Sequence, residues 1–332
     1  MSGKIPRIWV LLGPRRGDNN QVLALAEGLG LPFETRSLDY NWLRALNGRM
    51  LGKSLWSLKR HSRAQVKPPW PDLIIAIGRR SVPVARWIGK QCKGDCRLIR
   101  VGNPRMDPSN FDLVITTRQY PVPPGDNVVL LPLAMSRYRN IPERTDDERR
   151  WLDSLPRPHL LMALGGATKY WQLTPGSMAH SAQLLCARSK QSGGTLMVVD
   201  SPRTDPEVLA SVRSALQGKS NCEMVDGSKI RFPVLLDDAD EIFVTSDSIS
   251  MMSEAVLTGR PVGLIPIEMS EKGERKLGRS GESQRRDLRQ FWEHLLELGL
   301  VGPLQTPRSG RFKDPVETAV GRVKPLLGDF VE

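Results

Sequence analysis

The chain has 332 residues, which suits two domains of roughly 150 residues each, and its 39% of hydrophobic residues is enough to bury two cores. No apolar run approaches the roughly 20 residues that a membrane-spanning helix requires, so a transmembrane helix is not predicted. The net charge of +12 is unevenly divided along the chain. Residues 1–150 contain 26 Lys and Arg against 13 Asp and Glu, whereas the remainder contains 22 against 23. We therefore expect the first half to face a polyanion or an anionic membrane.

Strand patterns alternate with helical patterns along nearly the whole chain. The strands predicted in the first half are Arg7–Leu12, Phe33–Leu38, Asp72–Ile77, Arg97–Val101, Asp112–Thr116 and Val128–Leu131. After a charged segment the pattern restarts. The elements predicted there are strands His159–Leu164 and Thr195–Val199, helices Pro175–Lys190 and Pro206–Gln217, and short strands near Glu223, Ile242 and Val262. This order predicts two Rossmann-like α/β domains with parallel sheets and a boundary near residues 140–157.

Each half opens with a strand that runs into a glycine-containing turn. Ile8–Leu12 leads into Gly13–Asn19, and Leu160–Leu164 leads into Gly165–Thr168. Such a turn lets the backbone approach a ligand, and the helix start beyond it attracts anions. One glycine pair after a strand is weak evidence, because any tight turn between a strand and a helix can use it, but two turns heading two similar halves are stronger evidence.

The segment from Tyr40 to Pro71 contains no acidic residue and interleaves cations with tryptophan and leucine. This pattern predicts an interfacial amphipathic helix on anionic lipid. The residues predicted to dock are Trp42, Lys53, Trp56, Lys59, Arg60 and Arg63. Two alternatives stay open: nucleic-acid binding, for which we find no recognition motif, and a surface helix whose leucines pack on the domain.

The four cysteines, Cys92, Cys96, Cys186 and Cys222, are scattered without a CxxC pair, and the histidines lie at no metal-ligand spacing from them. We therefore expect reduced structural thiols and no metal site. The first apolar stretch, Ile8–Leu12, is too short for a signal-peptide core, which favours a cytoplasmic protein.

The most specific segment runs from Val244 to Val262. A buried strand ends in Ser246, Asp247 and Ser248, and a helix follows whose first amides can hold a phosphate. Asp247, Ser248 or Ser250 can cap this helix. Glu254 falls one turn after Ser250, where its carboxylate can accept the hydroxyls of a ribose. An ordinary capped helix ending at Gly259 is the structural alternative.

This segment resembles the donor site of GT-B glycosyltransferases, in which a Glu-Ala pair precedes Gly-x-Pro-Val. The whole chain resembles, more narrowly, the family of the plant "elongated mitochondria" fission protein and its bacterial relatives. The matching pieces are Gly17-Asp18-Asn19 with Gln21, Pro71–Ile74, Gly78–Arg80, Asn103–Arg105, Phe111–Val114, Gly165-Gly166, Ser201–Thr204 and Val244–Val262. The resemblance implies a GT-B fold, two Rossmann-like domains facing across a cleft. The expected domains are 1–145, 155–310 and a C-terminal helix in 311–332 that can pack back on the first.

The resemblance also implies roles for single residues in the second half. Gly165 and Gly166 would cradle a phosphate with their amides, as would the backbones of Ser250 and Met251. Arg203, in a loop with Ser201 and Thr204, would neutralise the diphosphate as charge develops on the leaving group. The loop containing Phe232 resembles one that reads the nucleobase, with a plain loop leading into a helix as the alternative.

In the first half, Asp18 is the predicted catalytic base, since an inverting transferase must remove a proton from the acceptor hydroxyl. The alternative is that Asp18 caps a helix beginning near Asn20. Gly17, Gln21, Arg80 and Arg105 are candidates for binding the acceptor or a phosphate, with solvated surface charge as the alternative for the arginines.

The predicted function is an inverting, metal-independent glycosyltransferase that uses a nucleotide-sugar and an envelope or lipid-linked acceptor on the cytoplasmic face of the inner membrane. No metal or other cofactor is expected, because the nearest Asp-x-Asp match, Asp238–Asp240, precedes a strand instead of ending one. Two other classes stay open: a non-catalytic membrane-associated adaptor and a sugar-nucleotide epimerase.

Overall fold

The computed structural model describes residues 5–46, 48–138, 143–278 and 285–330. The chain forms two compact units. Met1–Arg137 and Lys313–Glu332 make up the N-terminal unit, and Tyr138–Phe312 make up the C-terminal unit. Residues 139–142, part of the predicted boundary, lie outside the described residues. Within the described ranges, none of the helices has the length and apolar character needed to cross a bilayer.

Strands and helices alternate along most of the described chain. The strands are β1 (Ile8–Leu12), β2 (Phe33–Ser37), β3 (Leu73–Ile77), β4 (Arg97–Val101), β5 (Leu113–Thr117), β6 (Val128–Leu131), β7 (His159–Ala163), β8 (Trp171–Gln172), β9 (Thr195–Val199), β10 (Cys222–Met224), β11 (Glu241–Thr245), β12 (Val262–Ile265), β13 (Glu268–Met269) and β14 (Gly302–Pro303). The helices are α1 (Arg16–Gly28), α2 (Gly48–Leu51), α3 (Arg60–Ala64), α4 (Ser81–Gln91), α5 (Asp146–Asp153), α6 (Pro175–Gln191), α7 (Pro206–Leu216), α8 (Phe232–Asp238), α9 (Ile249–Leu257), α10 (Glu271–Leu277), α11 (Arg289–Glu297) and α12 (Pro315–Val323).

The N-terminal unit is built on a six-stranded sheet in the order β2-β1-β3-β4-β5-β6. All neighbouring pairs are parallel. Because successive strand residues point to opposite faces, the sheet has two apolar faces. Val10 and Ile75 pack in one cluster with Ala319 of α12, whereas Trp9 and Ile74 lie in the cluster on the other face.

The C-terminal unit contains a second six-stranded parallel sheet, in the order β10-β9-β7-β11-β12-β14. The short strands β8 and β13 form a separate antiparallel pair. Leu160 and Val198 of the large sheet are fully buried against Met178 and Ala182 of α6. The two sheets confirm the predicted α/β fold with two Rossmann-like domains.

Each sheet has one point at which the strand order reverses. In the N-terminal unit it lies between β1 and β3, and in the C-terminal unit it lies between β7 and β11. Ligands of open α/β sheets bind outside the carboxyl ends of the strands at such a switch point. Both points therefore direct attention to the loops that follow these strands.

The basic segment does not form the single amphipathic helix that its pattern predicts. Its described residues form a one-turn 3-10 helix at Trp42–Ala45 and the short helices α2 and α3. Gly52 interrupts the helical path with a φ of 56°, and the Asn41 side chain donates to the carbonyl of Trp56 over 2.7 Å. The segment folds back on itself because local polar contacts outcompete helix propagation in so short a stretch.

The four cysteines are free thiols, but the fold brings them together as two pairs. The Sγ atoms of Cys186 and Cys222 lie 2.8 Å apart, and a thiol hydrogen bond from Cys96 lowers the pKa of Cys92. Cys186 and Cys222 are separated by 36 positions, so their proximity is a tertiary feature that spacing along the chain does not reveal.

Candidate functional site

In the C-terminal unit, the predicted nucleotide-sugar residues follow three neighbouring strands. Gly165 and Gly166 follow β7, Ser201 follows β9, and Asp247 follows β11. Since these strands are adjacent and parallel, their carboxyl ends meet at one edge, at the switch point of the sheet. The fold therefore brings together, around one position, residues that are hydrogen-bonded across 81 positions of the chain.

A chain of hydrogen bonds joins the loop after β7 to the end of β11. The Gly165 amide donates to Thr245 Oγ1 over 2.8 Å, and the Thr245 hydroxyl donates to Asp247 Oδ1 over 2.6 Å. The Gly166 amide donates to Asp247 Oδ2 over 3.0 Å. A Cβ on Gly165 would lie 2.2 Å from Asp247 Oδ1, and a Cβ on Gly166 would lie 2.0 Å from the carbonyl oxygen of Arg203. Only glycine fits at these two positions.

These bonds correct one prediction. The amides of Gly165 and Gly166 do not cradle a phosphate, because both N–H groups are donated within the protein and both residues are buried. The two glycines instead allow the loop to pack directly against the end of β11 and the loop after β9.

The loop after β9 is tied to the same network. The Ser201 amide donates to Thr204 Oγ1 over 2.9 Å, and the Thr204 hydroxyl donates to the Gly165 carbonyl over 2.6 Å. Arg203 between them is exposed, with its Nη2 atom 3.3 Å from Asp247 Oδ2. The loop thus holds the Arg203 guanidinium beside the residue that leads into α9.

The start of α9 is uncapped. Ser248 occupies the N-cap position, yet its side chain makes no capping hydrogen bond. Asp247 turns back towards the loop after β7, so the predicted cap is absent. Within the described residues, the first-turn amides of Ile249, Ser250 and Met251 have no acceptor. Free N–H groups and the helix dipole together make such a start an anion site.

Asp247 itself is a structural residue of this site. It is 2% exposed, and burial raises its pKa, although the hydrogen bonds from Thr245 and Gly166 and the charge of Arg203 oppose that rise. Because its carboxylate is enclosed, Asp247 positions the loops and Arg203 instead of contacting a ligand.

The remaining candidates of the C-terminal unit have different surroundings. Glu254 is half-buried and lies one helical turn after Ser250 on α9. Ser246 is buried, and its hydroxyl donates to the Ile265 carbonyl over 3.0 Å, which ties β11 to β12. Ser246 is therefore part of the sheet edge and has no free hydroxyl for a ligand.

Phe232 is the half-buried first residue of α8. The preceding residue, Arg231, pairs with the buried Glu148 of α5 at 2.5 Å. Hydrogen bonds from Arg231 lower the pKa of Glu148 to about 2. This ion pair fixes the loop before Phe232 to α5.

The two carboxylates of the Asp238–Asp240 sequence form ion pairs within the protein. Asp238 pairs with Arg144 at 2.8 Å, Arg157 at 2.7 Å and His159 at 2.5 Å, and Asp240 pairs with Arg157. His159 begins β7, so this cluster lies at the amino edge of the sheet, opposite the candidate site. Among the described residues, no group of three or more metal-ligating side chains occurs.

In the N-terminal unit, α1 begins earlier than predicted. It starts at Arg16, so Gly17 and Asp18 lie in its first turn and Gln21 follows one turn later, all three half-buried. The alternative in which Asp18 caps a helix near Asn20 is therefore wrong. Asn19 instead clamps the loop, exchanging hydrogen bonds of 2.9 and 2.8 Å with the backbone of Gly13.

Asp18 and the candidate arginines follow neighbouring strands at the switch point of the N-terminal sheet. A Cβ on Gly78, at the end of β3, would lie 3.8 Å from Asp18 Oδ2. Arg80 occupies the N-cap position of α4, and Arg105 lies in the loop after β4 with a φ of 61°, which is unusual for a residue other than glycine.

Sequence reasoning missed two residues of these sites. Thr245 links Gly165 to Asp247, and its only signal is a hydroxyl at the end of a buried strand. Arg100 is 2% exposed and is the second-last residue of β4. Its signal is a cation between the apolar residues Ile99 and Val101 of a strand in a parallel sheet.

The six docking candidates are exposed even though the predicted helix is absent. Trp42 and Trp56 are 78% and 63% exposed, and Lys53, Lys59 and Arg60 also face solvent. Arg63 is exposed as well, but its Nη2 donates to the Trp56 carbonyl over 2.7 Å. The surface formed by these residues, here called the Trp42/Trp56 surface, is apolar at the two rings and cationic around them.

Comparison with known proteins gives the family. The model of the family "Mitochondrial fission ELM1" matches residues 16–319. The chain belongs to the ELM1 family. The Arabidopsis thaliana mitochondrial fission protein ELM1 is 24% identical over 229 residues, which cover 59% of this chain and 51% of that protein. A Rickettsia prowazekii protein, RP120, is 32% identical over 110 residues, which cover 32% of this chain and 30% of that protein. The matches thus span between about a third and half of the length of these curated ELM1 relatives.

Solved structures show the fold of this ELM1 family member. A Staphylococcus aureus MnaA structure with UDP has a TM-score of 0.57 at 12% identity, covering 98% of both chains. A putative UDP-N-acetylglucosamine 2-epimerase from Listeria monocytogenes has a TM-score of 0.55 at 12% identity, covering 99% of this chain and 91% of that one. At such identities the likeness shows the fold alone, which is the GT-B type.

Proposed function

We propose that this protein binds a nucleotide-sugar in its C-terminal unit and transfers the sugar to a cell-envelope or lipid-linked acceptor, with inversion and without a metal ion. The observation that supports the proposal is the uncapped start of α9, which lies at the switch point of the C-terminal sheet in a chain with the GT-B fold. Solved proteins of this fold include Staphylococcus aureus MnaA with UDP and a Neisseria meningitidis epimerase bound to UDP-N-acetylglucosamine, which supports a nucleoside diphosphate as the ligand.

In the proposed donor complex the diphosphate accepts hydrogen bonds from the first-turn amides of Ser250 and Met251. Arg203 supplies a full positive charge to the same group and stabilises it as the bond to the sugar breaks. Glu254 accepts the ribose hydroxyls, and Phe232 contacts the base. Asp247 acts by holding the loops and Arg203 in place.

Asp18 is the proposed base of the N-terminal unit. It takes the proton of the acceptor hydroxyl while the hydroxyl oxygen forms the new bond to the sugar and the diphosphate leaves with the electron pair. Asp18→Asn is expected to lower kcat by about a hundredfold or more while nucleotide affinity is unchanged. An equal loss of nucleotide affinity would show that Asp18 acts in binding.

The helix-start site is tested by calorimetric titration of the full chain with the diphosphates of uridine, guanosine, cytidine and thymidine. Ser248→Asp places a capping carboxylate at the start of α9, so it is expected to keep or raise Tm and to weaken binding by about tenfold or more. Thr145→Asp is the matched control, because it adds the same charge at the capped start of α5. If no diphosphate binds, or if Ser248→Asp binds as the wild type does, the proposed donor site is wrong.

We further propose that the Trp42/Trp56 surface places the protein on the cytoplasmic face of the inner membrane. Indole rings suit the headgroup region of a bilayer, and the surrounding lysines and arginines complement anionic lipid. Trp42→Ser with Trp56→Ser is expected to abolish co-sedimentation with vesicles containing phosphatidylglycerol. Leu184→Ser with Leu298→Ser removes exposed apolar groups from the C-terminal unit, and equal losses in both double variants would contradict a specific docking surface.

A sugar-nucleotide epimerase is the second candidate, because the solved structures of similar fold include UDP-N-acetylglucosamine 2-epimerases. It would release an altered nucleotide-sugar without any acceptor, so product analysis by NMR separates it from a transferase. A non-catalytic adaptor, which the name of the Arabidopsis relative suggests, predicts a different result. Asp18→Asn and Glu254→Ala would leave the cellular phenotype intact, whereas charge reversal at Lys59 and Arg60 would abolish it.

A further inference from the structure

The N-terminal unit concentrates arginines at the switch point of its sheet. The set, here called the arginine cluster, consists of Arg15, Arg44, Arg79, Arg80, Arg100 and Arg105. The pKa of Arg80 is lowered, first by burial and then by the charges of Arg44, Arg79 and Arg15. Arg105 in turn acts on the buried Arg100. None of the ion pairs between described residues contains a member of the cluster, and the nearby carboxylate of Asp18 acts on Arg100.

Arg100 is the fully buried member of the cluster. Its guanidinium donates to the carbonyl of Gly78 over 3.1 Å, to Ser81 Oγ over 3.2 Å and to the carbonyl of Asn103 over 2.9 Å, while its Nε atom has no partner in the described chain. Burial lowers its pKa to about 10, although the nearby Tyr120, Asp18 and Tyr40 oppose that shift. A guanidinium taken out of water without a paired carboxylate costs several kcal/mol.

The bonds of Arg100 hold the two loops that carry the exposed arginines. Gly78 and Ser81 flank Arg79 and Arg80 in the loop after β3, and the Ser81 hydroxyl also donates to the Ile77 carbonyl over 2.8 Å. Arg100 therefore fixes the backbone from which the guanidinium groups of Arg79 and Arg80 extend.

The loop after β4 is held in the same way. The Asn103 carbonyl accepts from Arg100, and the Asn103 side chain accepts from the Arg105 amide over 2.7 Å. Arg105 adopts a left-handed backbone with a φ of 61°, a conformation that costs free energy for a residue with a side chain and that recurs at functional sites.

Like charges that lie close together at the ligand-binding edge of a sheet repel one another, and a bound anion would neutralise that repulsion. Guanidinium groups match the oxygens of phosphate with paired hydrogen bonds, which makes phosphate the fitting anion. Arg44 lies in the same one-turn helix as the exposed Trp42, and its carbonyl accepts from Arg79 over 3.4 Å. The cluster is thus continuous with the Trp42/Trp56 surface.

We propose that the arginine cluster binds a phosphate or diphosphate group carried by the acceptor, so that the acceptor is an anionic, phosphate-bearing molecule. The assignment of the phosphate to an acceptor rests on the transferase function proposed above. The binding of phosphate by the cluster does not depend on it.

The test is calorimetric titration of the full chain with inorganic pyrophosphate, alone and with a saturating nucleoside diphosphate. Arg80→Gln with Arg105→Gln is expected to weaken pyrophosphate binding by about tenfold for each arginine removed. Pyrophosphate can also occupy the proposed donor site, so the affinity of the cluster is measured with that site filled by saturating nucleotide. Under that condition Arg203→Gln should leave the remaining pyrophosphate binding unchanged, because Arg203 lies in the C-terminal unit. Lys90→Gln with Lys93→Gln removes the same charge at the far end of α4 and should also have no effect.

Three results would overturn the proposal: wild-type affinity in the Arg80/Arg105 double variant, equal weakening in the lysine control, or loss of all pyrophosphate binding in the presence of the nucleotide. The last result would assign the cluster to the donor's own diphosphate. If no nucleoside diphosphate binds but pyrophosphate affinity still depends on Arg80 and Arg105, the proposed donor site fails and the phosphate site stands. An affinity in Arg80→Lys with Arg105→Lys that exceeds the affinity of the glutamine variant, together with a Tm in both double variants no lower than that of the wild type, separates lost charge from misfolding.

Discussion

The carboxyl edges of the two sheets each contain a switch point of the strand order, but their charges are arranged in opposite ways. In the C-terminal unit the edge is closed by hydrogen bonds: one buried carboxylate, Asp247, receives the donors of two loops and faces a single arginine, Arg203. In the N-terminal unit the edge carries six arginines beside the carboxylate of Asp18, which opposes the fall in the pKa of Arg100. In the two proposals above, one edge binds an anion chiefly through a helix start, whereas the other does so through side-chain charge.

This difference shows that a fold supplies the position of a site but not its means of binding. The edge of the C-terminal sheet needs close packing and glycine, because the loop after β7 lies directly against the end of β11 and the loop after β9. Side-chain charges reach the ligand from a distance and tolerate variation of the backbone below them. The two edges should therefore respond differently to the same kinds of substitution.

The largest expected difference is in the glycine turns. Gly166→Ala should destabilise the protein by about 3 kcal/mol, because the new Cβ would lie 2.0 Å from the carbonyl oxygen of Arg203. Gly13→Ala, in the corresponding turn of the N-terminal unit, meets no atom within 4 Å and should change stability by less than about 0.5 kcal/mol. Urea unfolding measures both. Similar losses would show that the N-terminal turn is also closely packed.

The second prediction concerns the two carboxylates. Asp247→Asn should cost about 2 kcal/mol at pH 7, because the new amide group faces the donors of Gly166 and Arg203. Burial raises the pKa of Asp247 in the folded protein, so the acid binds its proton more tightly when folded. That contribution is fully present below the unfolded value of about 3.9 and is lost as the pH rises through the folded pKa. The cost of the substitution should therefore be greater at pH 4 than at pH 7.

Asp18→Asn is the comparison for this experiment, and it should leave the unfolding free energy within about 0.5 kcal/mol of wild type at pH 7, because Asp18 is half-buried on the first turn of α1. A cost for Asp247→Asn that shrinks as the pH falls would mean that the hydrogen bonds and Arg203 outweigh burial, and that the folded pKa of Asp247 is lowered.

The smallest expected effects have opposite signs. Arg203→Gln should destabilise the protein by about 0.5 kcal/mol, since it loses a half-exposed ion pair with Asp247. Arg80→Gln should stabilise it by a similar amount at low salt, because it relieves repulsion from Arg44, Arg79 and Arg15. Thermal unfolding at 20 mM and 500 mM NaCl tests this pair. Arg80→Gln that destabilises at low salt would mean that Arg80 is held by attractive contacts.

Much of the fold follows from local pattern. β4, β6 and β9 have the predicted bounds, and β7 differs by one residue, because buried parallel strands are short apolar runs bounded by turns. The family also follows from the sequence, since its motifs are spread over most of the chain. The prediction of one helix in the basic segment is wrong, because Gly52 and the contacts of Asn41 interrupt it. The residues predicted to dock are nevertheless exposed.

The sequence by itself therefore determined the two parallel sheets, the family and the position of the glycine turns after β1 and β7, because apolar periodicity and glycine turns are local signals. The tertiary structure alone decided what those loops do. Asp247 meets Gly166 across 81 positions, and Arg100 reaches carbonyls of two different loops. Hydrogen-bond partners and uncompensated charges depend on distances in space, which no spacing along the chain encodes.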